Sequence, residues 1–515
     1  MTAKIIMLAV FFGVMLGVGF YSRSKATNVN DYVLGGRSVG PWITAFAFGT
    51  SYFSSVVFVG YAGQFGWKYG ISATWIGLGN AFIGSLLAWL VLGRRTRVMT
   101  QKLEARTMPE YFGKRYDSKA LRLAGAVIAF IFLIPYTASI YNGLSRLFGM
   151  AFNIRYEVCI LVMALLTAVY VIIGGYMATA LNDFIQGIIM LIGISAVILA
   201  VLTSHGGFLG ALTELSLVPE DPAVTTAGLH GSQGLFASFF GPDPLNLFGV
   251  IVLTSLGTWG LPQMVHKFYT IKDEKAVKTG TVVSTFFAVV VAGGCYFLGG
   301  FGRLYSAADI YKADGSVAFD QIVPAMLQTL PDLLIGIVVV LVLSASMSTL
   351  SSLVITSSST ITIDLLKETF FKNMKDKHQL ITMRVLVAVF VLLSVIMAIK
   401  PPMFIAQLMG VSWGALAGAF LAPFMFGLYS KEITKAAVWA SYIWGVGFTV
   451  VNMVFKLIAS PINAGAITMV VGLIIVPIIS IITPKMNKAY VDEIFTCYDR
   501  TVVVHTTSSL EEEEQ

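Results

Sequence analysis

Residues 344–352 carry a dense group of hydroxyl side chains inside a long apolar stretch. On an α-helix, Ala345, Ser348, Thr349 and Ser352 occupy positions i, i+3, i+4 and i+7 and share one face, with Ser351 at its edge. Oxygen atoms arranged in this way can replace the water around a small hard cation. The same small residues also allow neighbouring helices to pack closely in lipid. From this pattern alone, cation binding and helix packing both remain open.

Composition indicates a polytopic α-helical membrane protein. The chain has 515 residues, of which 57% are hydrophobic and 12% charged, and apolar runs of about 20 residues recur along it, the length that crosses a bilayer. The formal net charge of +7 is attributed to loops at the membrane surface, so we expect no nucleic-acid partner. The three cysteines, Cys159, Cys295 and Cys497, lack the spacing of a metal site.

Thirteen stretches are predicted to cross the membrane, and the first is expected to be retained rather than removed as a signal peptide. They are residues 5–21, 41–65, 70–93, 121–147, 156–175, 180–203, 245–266, 277–303, 333–362, 381–400, 402–428, 434–455 and 464–482. Residues 1–483 are predicted to form the membrane domain, with its core at about 41–428, and residues 484–515 a cytoplasmic tail. The acidic run Glu511 to Glu514 is expected to be solvated.

Lysine and arginine are concentrated in alternate loops. The loop between residues 94 and 122 is rich in both, whereas the long loop between residues 204 and 244 contains neither. Cytoplasmic loops carry an excess of positive charge, so the N-terminus is predicted outside and the C-terminus inside. The expected location is the plasma membrane, which is the inner membrane in a bacterium, with the lipid bilayer as a partner.

Two predicted spans contain polar, glycine-bearing interruptions at corresponding positions. Residues 48–55 interrupt the second span and residues 256–262 interrupt the seventh, five spans later. Paired interruptions of this kind are typical of transporters built from two inverted repeats, whose broken helices expose backbone groups to a central solute. Asp183 is the only ionisable side chain well inside the span 180–203, so it is expected to face a partner or a wet cavity, or to reach the membrane edge.

Four motifs together resemble the sodium/solute symporter family, which includes bacterial proline, pantothenate, sugar and sialic acid carriers. They are DYVLGGRS at 31–38, TMPEYF at 107–112 with Arg115, IGGYMA at 173–178 with Asp183 and Gln186, and ASMSTLS at 345–351. The resemblance implies the leucine-transporter-like architecture, an all-α fold of ten core helices in two inverted five-helix repeats with discontinuous helices. It also implies sodium-coupled symport of a small organic solute by alternating access, and no enzymatic activity.

The resemblance assigns residues to sodium. A first ion would be held by the main-chain carbonyls of Thr50, Phe53 and Ala345 and the side chains of Ser348 and Thr349. A second ion, present in some members, would be held by Asp183, Ser348, Ser351 and Ser352. A proline-carrying branch has cysteine at the position of Ser352, so the intact set favours two sodium ions per solute. Arg37 is expected at the inner gate by the same likeness.

Seven side chains are predicted to line the central solute cavity, by analogy with the fold. They are Ser54, Ser55, Gln64, Tyr136, Trp259, Gln263 and Gln407; each can equally belong to ordinary helix packing. The span 70–93 has no carboxylate, whereas the sugar carriers have one there, so a small amino acid such as proline, or an organic carboxylate such as pantothenate or sialic acid, is favoured. Arg146 lies near the outer end of its span, where it can also simply reach the membrane surface.

Other functional classes are less consistent with these features. A sodium/sugar symporter and a symporter-like membrane sensor remain alternatives. A channel needs a continuous pore and a repeated filter, and a membrane enzyme needs clustered histidines or carboxylates, whereas the five histidines are dispersed. We expect the protein to function as a monomer.

Overall fold

The computed structural model describes residues 2–22, 28–305, 310–312, 314–328 and 330–499. Within these ranges the chain is built from α-helices with short 3-10 and π-helical segments, and no β-strand forms beyond two isolated bridges. The predicted all-α class is therefore confirmed. The acidic run Glu511 to Glu514 and the rest of the predicted tail after residue 499 lie outside the described residues.

Eleven helices in the described part of the chain are long and apolar enough to cross a membrane, or twelve with one bent pair counted as a span. They are Lys4–Ser22, Val56–Lys102, Lys119–Phe152, Tyr156–Ile173, Gly175–Ser204, Lys275–Leu304, Asp332–Phe370, Asp376–Ile399, Ile405–Tyr429, Lys435–Phe455 and Pro461–Ile482, with Pro244–Gly260 plus Pro262–Tyr269 as the bent pair. The predicted count of thirteen is not confirmed.

The difference in count arises around the predicted spans 41–65 and 70–93. The helix Pro41–Tyr52 is too short to count alone, and the run Val56–Lys102 is 47 residues long. Within that run Gly70 has φ 61° and ψ −142°, which lies outside the helical region and favours glycine. The run is therefore interrupted at Gly70, close to the predicted boundary between the two spans.

Both predicted helix breaks are present. The helix Pro41–Tyr52 ends at Phe53, whose backbone is extended at φ −114° and ψ 115°. The helices Pro244–Gly260 and Pro262–Tyr269 are separated by Leu261, also extended at φ −82° and ψ 122°, and are bent by 47°. Extended residues inside a membrane helix release backbone groups from the i to i−4 pattern, which is acceptable only inside protein or at a cavity.

A further kink brings Asp183 towards the second break. The helical run Tyr156–Ser204 contains Gly175 at φ 57° and ψ −159°, so the two spans predicted at 156–175 and 180–203 meet at this glycine. A Cβ atom at Gly175 would lie 2.8 Å from the Tyr32 ring. Only glycine satisfies both the positive φ and the close approach.

The first part of the predicted tail packs against the membrane domain. The short helix Lys488–Phe495 follows the last span, and Asp492 and Glu493 lie 2.6 Å from Lys431 and 3.7 Å from Lys102, respectively. The Tyr490 hydroxyl donates to the Lys114 carbonyl. The chain up to residue 499 therefore covers loops at one end of the helix bundle.

Candidate ion and solute sites

The first break lies against the hydroxyl-rich stretch of the helix Asp332–Thr360. The Ser54 hydroxyl caps the restarting helix by accepting from the Val56 N–H at 3.2 Å. The Ser55 N–H, released by the break, donates to the Ser346 hydroxyl at 3.2 Å. The side chains at 344–352 thus supply partners for backbone groups that the broken helix leaves free.

Three further hydrogen bonds join the two elements. Ser348 Oγ donates to Thr50 Oγ1 at 2.8 Å, and Thr349 Oγ1 lies 3.3 Å from the Ser51 carbonyl. The Ser51 and Ser352 hydroxyls are 3.0 Å apart. All five residues are buried. The face predicted from helical periodicity is therefore directed at the break and not at lipid.

Four of the five residues predicted for the first sodium ion are thereby brought together. Thr349 Oγ1 also lies 3.1 Å from the Ala345 carbonyl of its own helix, and Ser348 and Thr349 contact the end of the half-helix that carries Thr50. Phe53 follows in extended conformation, and its carbonyl remains a predicted ligand. The set offers only oxygen atoms, which suits sodium, and hydroxyl hydrogens rotate readily to expose a lone pair.

Asp183, predicted to hold a second ion, forms a buried ion pair. Its Oδ2 lies 3.3 Å from Lys267 Nζ, and the two side chains are 0% and 1% exposed. Oδ1 has no hydrogen-bond partner in the described part of the chain, although Ser348 lies close enough for the two side chains to interact. A lysine ammonium therefore contacts the carboxylate predicted to bind sodium.

The remaining residues of the second set are grouped around Ser348. The Ser351 and Ser352 hydroxyls donate to the Ser348 carbonyl at 2.9 and 3.1 Å. Lys267 also lies 5.2 Å from the centre of the Tyr176 ring, which follows the Gly175 kink. Sequence reasoning did not identify Lys267 as a partner of Asp183. The signal that could have indicated it is the position of this lysine immediately after the predicted span 245–266.

Predicted solute-binding residues fall into three groups. The first consists of side chains that contact a neighbouring helix or cap their own, namely Ser54, Ser55, Tyr136 and Trp259. Ser55 Oγ donates to the Ile140 carbonyl at 2.9 Å and Trp259 Nε1 to the Ile83 carbonyl at 3.0 Å, so both side chains hold helices together in this conformation. Ser54 caps its own helix. Tyr136 packs edge-on against Trp413, with ring centroids 5.8 Å apart.

The second group consists of buried amides. Gln263 has no hydrogen-bond partner for either side-chain polar atom among the described residues, and the same holds for Oε1 of Gln64. A buried polar atom without a partner costs about 1–3 kcal/mol, so such atoms are candidates for binding a solute. Two tyrosine hydroxyls that sequence reasoning missed, on Tyr61 and Tyr296, share this property and lie near each other.

Gln407 forms the third group because it lies in a different place. It lines a cavity of about 540 Å³ together with Asn142, Arg146, Lys312 and Asp320. This cavity forms where the end of the helix Lys119–Phe152 meets the segment before Ile322 and the start of the helix Ile405–Tyr429. The structure thus places Gln407 at one end of the bundle.

Arginine side chains join the elements at the opposite end, where the positive loops lie. Arg37 donates to the carbonyls of Ala105, Tyr269 and Thr100 at 2.7, 3.3 and 3.3 Å. Burial lowers the pKa of Arg37 to about 10, so it stays protonated at neutral pH. Arg37 therefore ties the segment before the first broken helix to the end of the second.

A second arginine cluster lies nearby. Arg122 contacts Asp364 at 2.7 Å, Glu368 at 2.9 Å and Glu110 at 3.4 Å, and Thr107 donates to Asp364 at 2.5 Å. Burial would raise the pKa of Glu110, but Arg106, Lys114 and Arg122 together lower it to about 2. This network, which sequence reasoning also missed, connects the TMPEYF motif to the Asp364 end of the hydroxyl-bearing helix.

Comparison with known proteins adds three findings. The profile of the sodium:solute symporter family matches residues 32–445. The osmoregulated proline transporter OpuE of Bacillus subtilis (strain 168) is 28% identical over 489 residues, covering 94% of this chain and 95% of that protein. The sodium/proline symporter of Staphylococcus aureus (strain JH9) is 29% identical over 493 residues, covering 94% and 92%.

A solved structure has the same fold. It is the substrate-bound outward-open state of a Na+-coupled sialic acid symporter, with a TM-score of 0.76, 18% sequence identity, and coverage of 94% of this chain and 98% of that one. At this identity the likeness establishes the architecture alone.

Proposed function

Because this chain belongs to the sodium:solute symporter family, we propose that it carries a small amino acid of the proline type together with sodium by alternating access. The chain is a sodium-coupled symporter of a small solute and not an enzyme. The finer proposal, an amino acid, is supported by the two proline carriers that match it over 94% of its length. The observation that carries the coupling is the contact of Ser348 with Thr50 across the first break.

The first ion is proposed to bind between the break and the hydroxyl-bearing helix. Its ligands would be the carbonyls of Thr50, Phe53 and Ala345 and the hydroxyls of Ser348 and Thr349. These residues belong to two elements that must separate when one side of the carrier opens. Sodium bound between them therefore stabilises the conformation in which the elements are together, and a solute that needs the same conformation binds more tightly when sodium is present.

The second ion is proposed at Asp183, Ser348, Ser351 and Ser352, and the structure adds a condition to it. An ammonium group already neutralises Asp183, and two cations cannot both bind one buried carboxylate without a large electrostatic penalty. Two-sodium coupling is therefore proposed to require Lys267 to leave Asp183. Each charge moved inward is worth about 2.3 kcal/mol per 100 mV of membrane potential. The number of sodium ions per solute therefore sets the largest concentration ratio to which a neutral solute can be accumulated.

The solute is proposed to lie between the two breaks, near Tyr136, Trp259, Gln263 and Gln64. The partnerless amides of Gln263 and Gln64 support this location, and the hydroxyls of Ser54 and Ser55 would be recruited only if their present hydrogen bonds open. An organic carboxylate is the second candidate, because backbone N–H groups released by a broken helix can bind a carboxylate without an arginine.

Membrane placement and assembly are part of the proposal. The chain is a multi-pass membrane protein. We propose a plasma-membrane location with the N-terminus outside, the loops holding Arg37 and Arg122 in the cytoplasm, and a monomer as the functional unit. Residues 1–483 would form the transport domain and residues 484–515 the cytoplasmic tail.

A thermal-shift screen of the purified protein tests the solute. Amino acids, organic acids and sugars would be compared in sodium and in potassium. Binding linkage predicts that L-proline raises the melting temperature more in sodium than in potassium. A sugar that stabilises the protein while proline does not would instead favour the sugar alternative, and sodium-independent stabilisation would contradict the coupling.

A further inference from the structure

A polar cavity lies at the end of the helix bundle that holds the arginine clusters. Its volume is about 540 Å³, and it is lined by Asn30, Arg37, Gln101, Glu104, Arg106 and Lys114. Pockets of about 300–1,000 Å³ are typical for small molecules. Three cationic side chains and one carboxylate form the charged part of the lining, so the cavity has an excess of positive charge.

Each of the three cations keeps a hydrogen-bond donor that the described part of the chain does not use. Arg37 directs Nη1 and Nη2 at main-chain carbonyls, which leaves its Nε. Arg106 contacts Glu110 through Nε and Nη2 at 3.3 and 3.4 Å, which leaves its Nη1. Lys114 lies 3.1 Å from the Glu104 carbonyl and 3.3 Å from Glu110, which leaves the third ammonium hydrogen. Guanidinium and ammonium groups accept no hydrogen bonds, so a molecule in the cavity must supply the acceptors.

The amide of Gln101 adds a further donor. Its Oε1 accepts from Arg97 Nη1 at 2.7 Å, so its N–H groups remain for another partner. Arg97 is 1% exposed, and its Nη2 has no hydrogen-bond partner among the residues that the structure describes. A buried guanidinium in contact with a lining residue is screened little by salt. Arg97 therefore adds to the positive potential of the cavity.

Two of the cations are held close together. Arg37 donates to the Ala105 carbonyl at 2.7 Å, directly before Arg106. Burial lowers the pKa of Arg37 to about 10, and the nearby charge of Arg106 acts in the same direction. Arg37 and Glu104 also have left-handed backbone, at φ 55° and 49°, which non-glycine residues seldom adopt and which clusters at binding sites. Like charges held together repel each other, and an anion bound between them removes this repulsion.

The cavity spans elements from different parts of the carrier. Arg37 precedes the first broken helix and donates to the Tyr269 carbonyl, at the end of the second, at 3.3 Å. Lys114 lies on the helix Met108–Arg115, whose last residue donates to carbonyls at the end of the helix Ile405–Tyr429. An anion that binds Arg37 and Lys114 together therefore joins these elements, and it stabilises the conformation in which they are in contact.

We propose that this cavity binds an oxyanion of the phosphate class and that the bound anion holds this end of the carrier closed. A tetrahedral phosphate offers acceptor oxygens in several directions, which suits two guanidinium groups, an ammonium group and an amide. On the proposed topology the site faces the cytoplasm, where the phosphate is either free or part of an anionic lipid headgroup. The inference goes beyond the proposed function, since the ligand is neither the transported solute nor sodium.

Equilibrium dialysis of radiolabelled inorganic phosphate against the purified full-length protein in detergent tests the site, with chloride keeping the ionic strength constant. We expect saturable binding by wild type and at least about tenfold weaker binding by Arg106→Gln and Lys114→Gln. The matched controls Arg155→Gln and Lys372→Gln remove exposed cations outside the lining and should bind like wild type. Arg106→Lys, which keeps the charge, should bind more tightly than Arg106→Gln.

Two results would overturn the site. One is the absence of saturable phosphate binding by wild type, and the other is undiminished binding by both Arg106→Gln and Lys114→Gln. A cooperative melting curve for each variant establishes that it is folded.

Competition separates the two sources of phosphate. Short-chain phosphatidylglycerol, whose headgroup has a net negative charge, should displace phosphate at a lower concentration than short-chain phosphatidylcholine if a lipid headgroup is the natural occupant. Equally weak competition by the two lipids identifies free phosphate as the ligand.

The closing role is measured separately, as the alkylation rate of Ser358→Cys, a buried position on the hydroxyl-bearing helix. Saturating phosphate should slow alkylation several-fold and should have no effect when Arg106→Gln is also present. An unchanged rate at saturating phosphate would overturn the closing role. None of these measurements depends on which solute the protein carries.

Discussion

Lys267 places its ammonium nitrogen 3.3 Å from Asp183 Oδ2, and both side chains are buried. Asp183 follows the Gly175 kink, and Lys267 belongs to the helix after the Leu261 break. The pair therefore links one irregular helix to another, next to Ser348. A sodium ion at Asp183 would have to replace this lysine, since removing the partner of a buried charge costs several kcal/mol unless another cation compensates it.

Replacing Lys267 should make the stability of the folded protein depend on sodium. Removing one member of a buried ion pair typically costs about 3–5 kcal/mol, so Lys267→Met should lower the melting temperature in potassium, and sodium should restore much of the loss by taking its place. Melting curves of the variant in sodium and potassium measure this. An equal loss in both salts would mean that sodium does not bind Asp183.

The double variant provides the control. Lys267→Met combined with Asp183→Asn leaves no uncompensated charge, so it should be more stable in potassium than Lys267→Met alone and should lose the additional sodium response. The coupling energy from this cycle isolates the pair. If the double variant instead keeps the full sodium response of Lys267→Met, the second ion lies elsewhere.

Opening of the end of the helix bundle that holds Arg37 and Arg122 should be controlled by Arg122. This side chain joins Glu110, Asp364 and Glu368, so Arg122→Gln should release the Asp364 end of the hydroxyl-bearing helix. The probe is the alkylation rate of Ser358→Cys, a buried position on that helix, against a low background because the three native cysteines are buried.

Alkylation should be several-fold faster with Arg122→Gln than without it. Lys119→Gln removes contacts with Glu368 alone, 3.6 Å from its carboxylate and 2.8 Å from its main-chain carbonyl, and should leave the rate unchanged because Arg122 keeps its partners. Equal rates in all three backgrounds would show that the arginine network does not hold this end closed.

Glu110 should make the protein acid-sensitive. Arg106, Lys114 and Arg122 lower its pKa to about 2 from an ordinary value of 4.5. A lowered carboxyl pKa stabilises the folded state above the unfolded pKa, and this stabilisation is lost as pH falls from about 4.5 towards 2. At about 1.4 kcal/mol per pKa unit, it amounts to about 3 kcal/mol.

Melting temperatures between pH 6 and pH 3 measure this effect. Wild type should lose stability over the lower half of that range, and Glu110→Gln should begin less stable and lose less. Identical slopes for the two proteins would contradict a strongly ion-paired Glu110.

Features repeated along the chain were predictable from sequence, and contacts between distant residues were not. The breaks at Phe53 and Leu261 could be located because glycine and polar residues interrupt apolar runs at matching places. Periodicity likewise identified the face of Ser348 and Thr349. The Lys267–Asp183 pair joins residues 84 positions apart, and no local pattern encodes that contact.

The side chains that line each cavity were also not predictable from the sequence. Gln407 is predicted to line the central solute cavity by analogy with the fold, whereas in the structure it lies two residues into the helix Ile405–Tyr429 and lines the same cavity as Arg146 and Asp320. Trp259 is predicted to line the solute cavity because it lies beside a break, and in the structure its indole N–H donates to the Ile83 carbonyl. Which side chains face a cavity depends on helix rotation, which one sequence does not reveal.

Sodium-driven uptake of L-proline into proteoliposomes, compared between wild type, Ser348→Ala and Ser359→Ala, tests the coupling most directly. Ser359 is a buried serine on the same helix, bonded only within it, so Ser359→Ala is the matched control and should transport like wild type. Loss of one ligand to an ion costs about 1.5–3 kcal/mol, so Ser348→Ala should raise the sodium concentration for half-maximal uptake roughly ten- to a hundredfold. Unchanged sodium dependence in Ser348→Ala would contradict sodium binding between the broken helix and the hydroxyl-bearing helix.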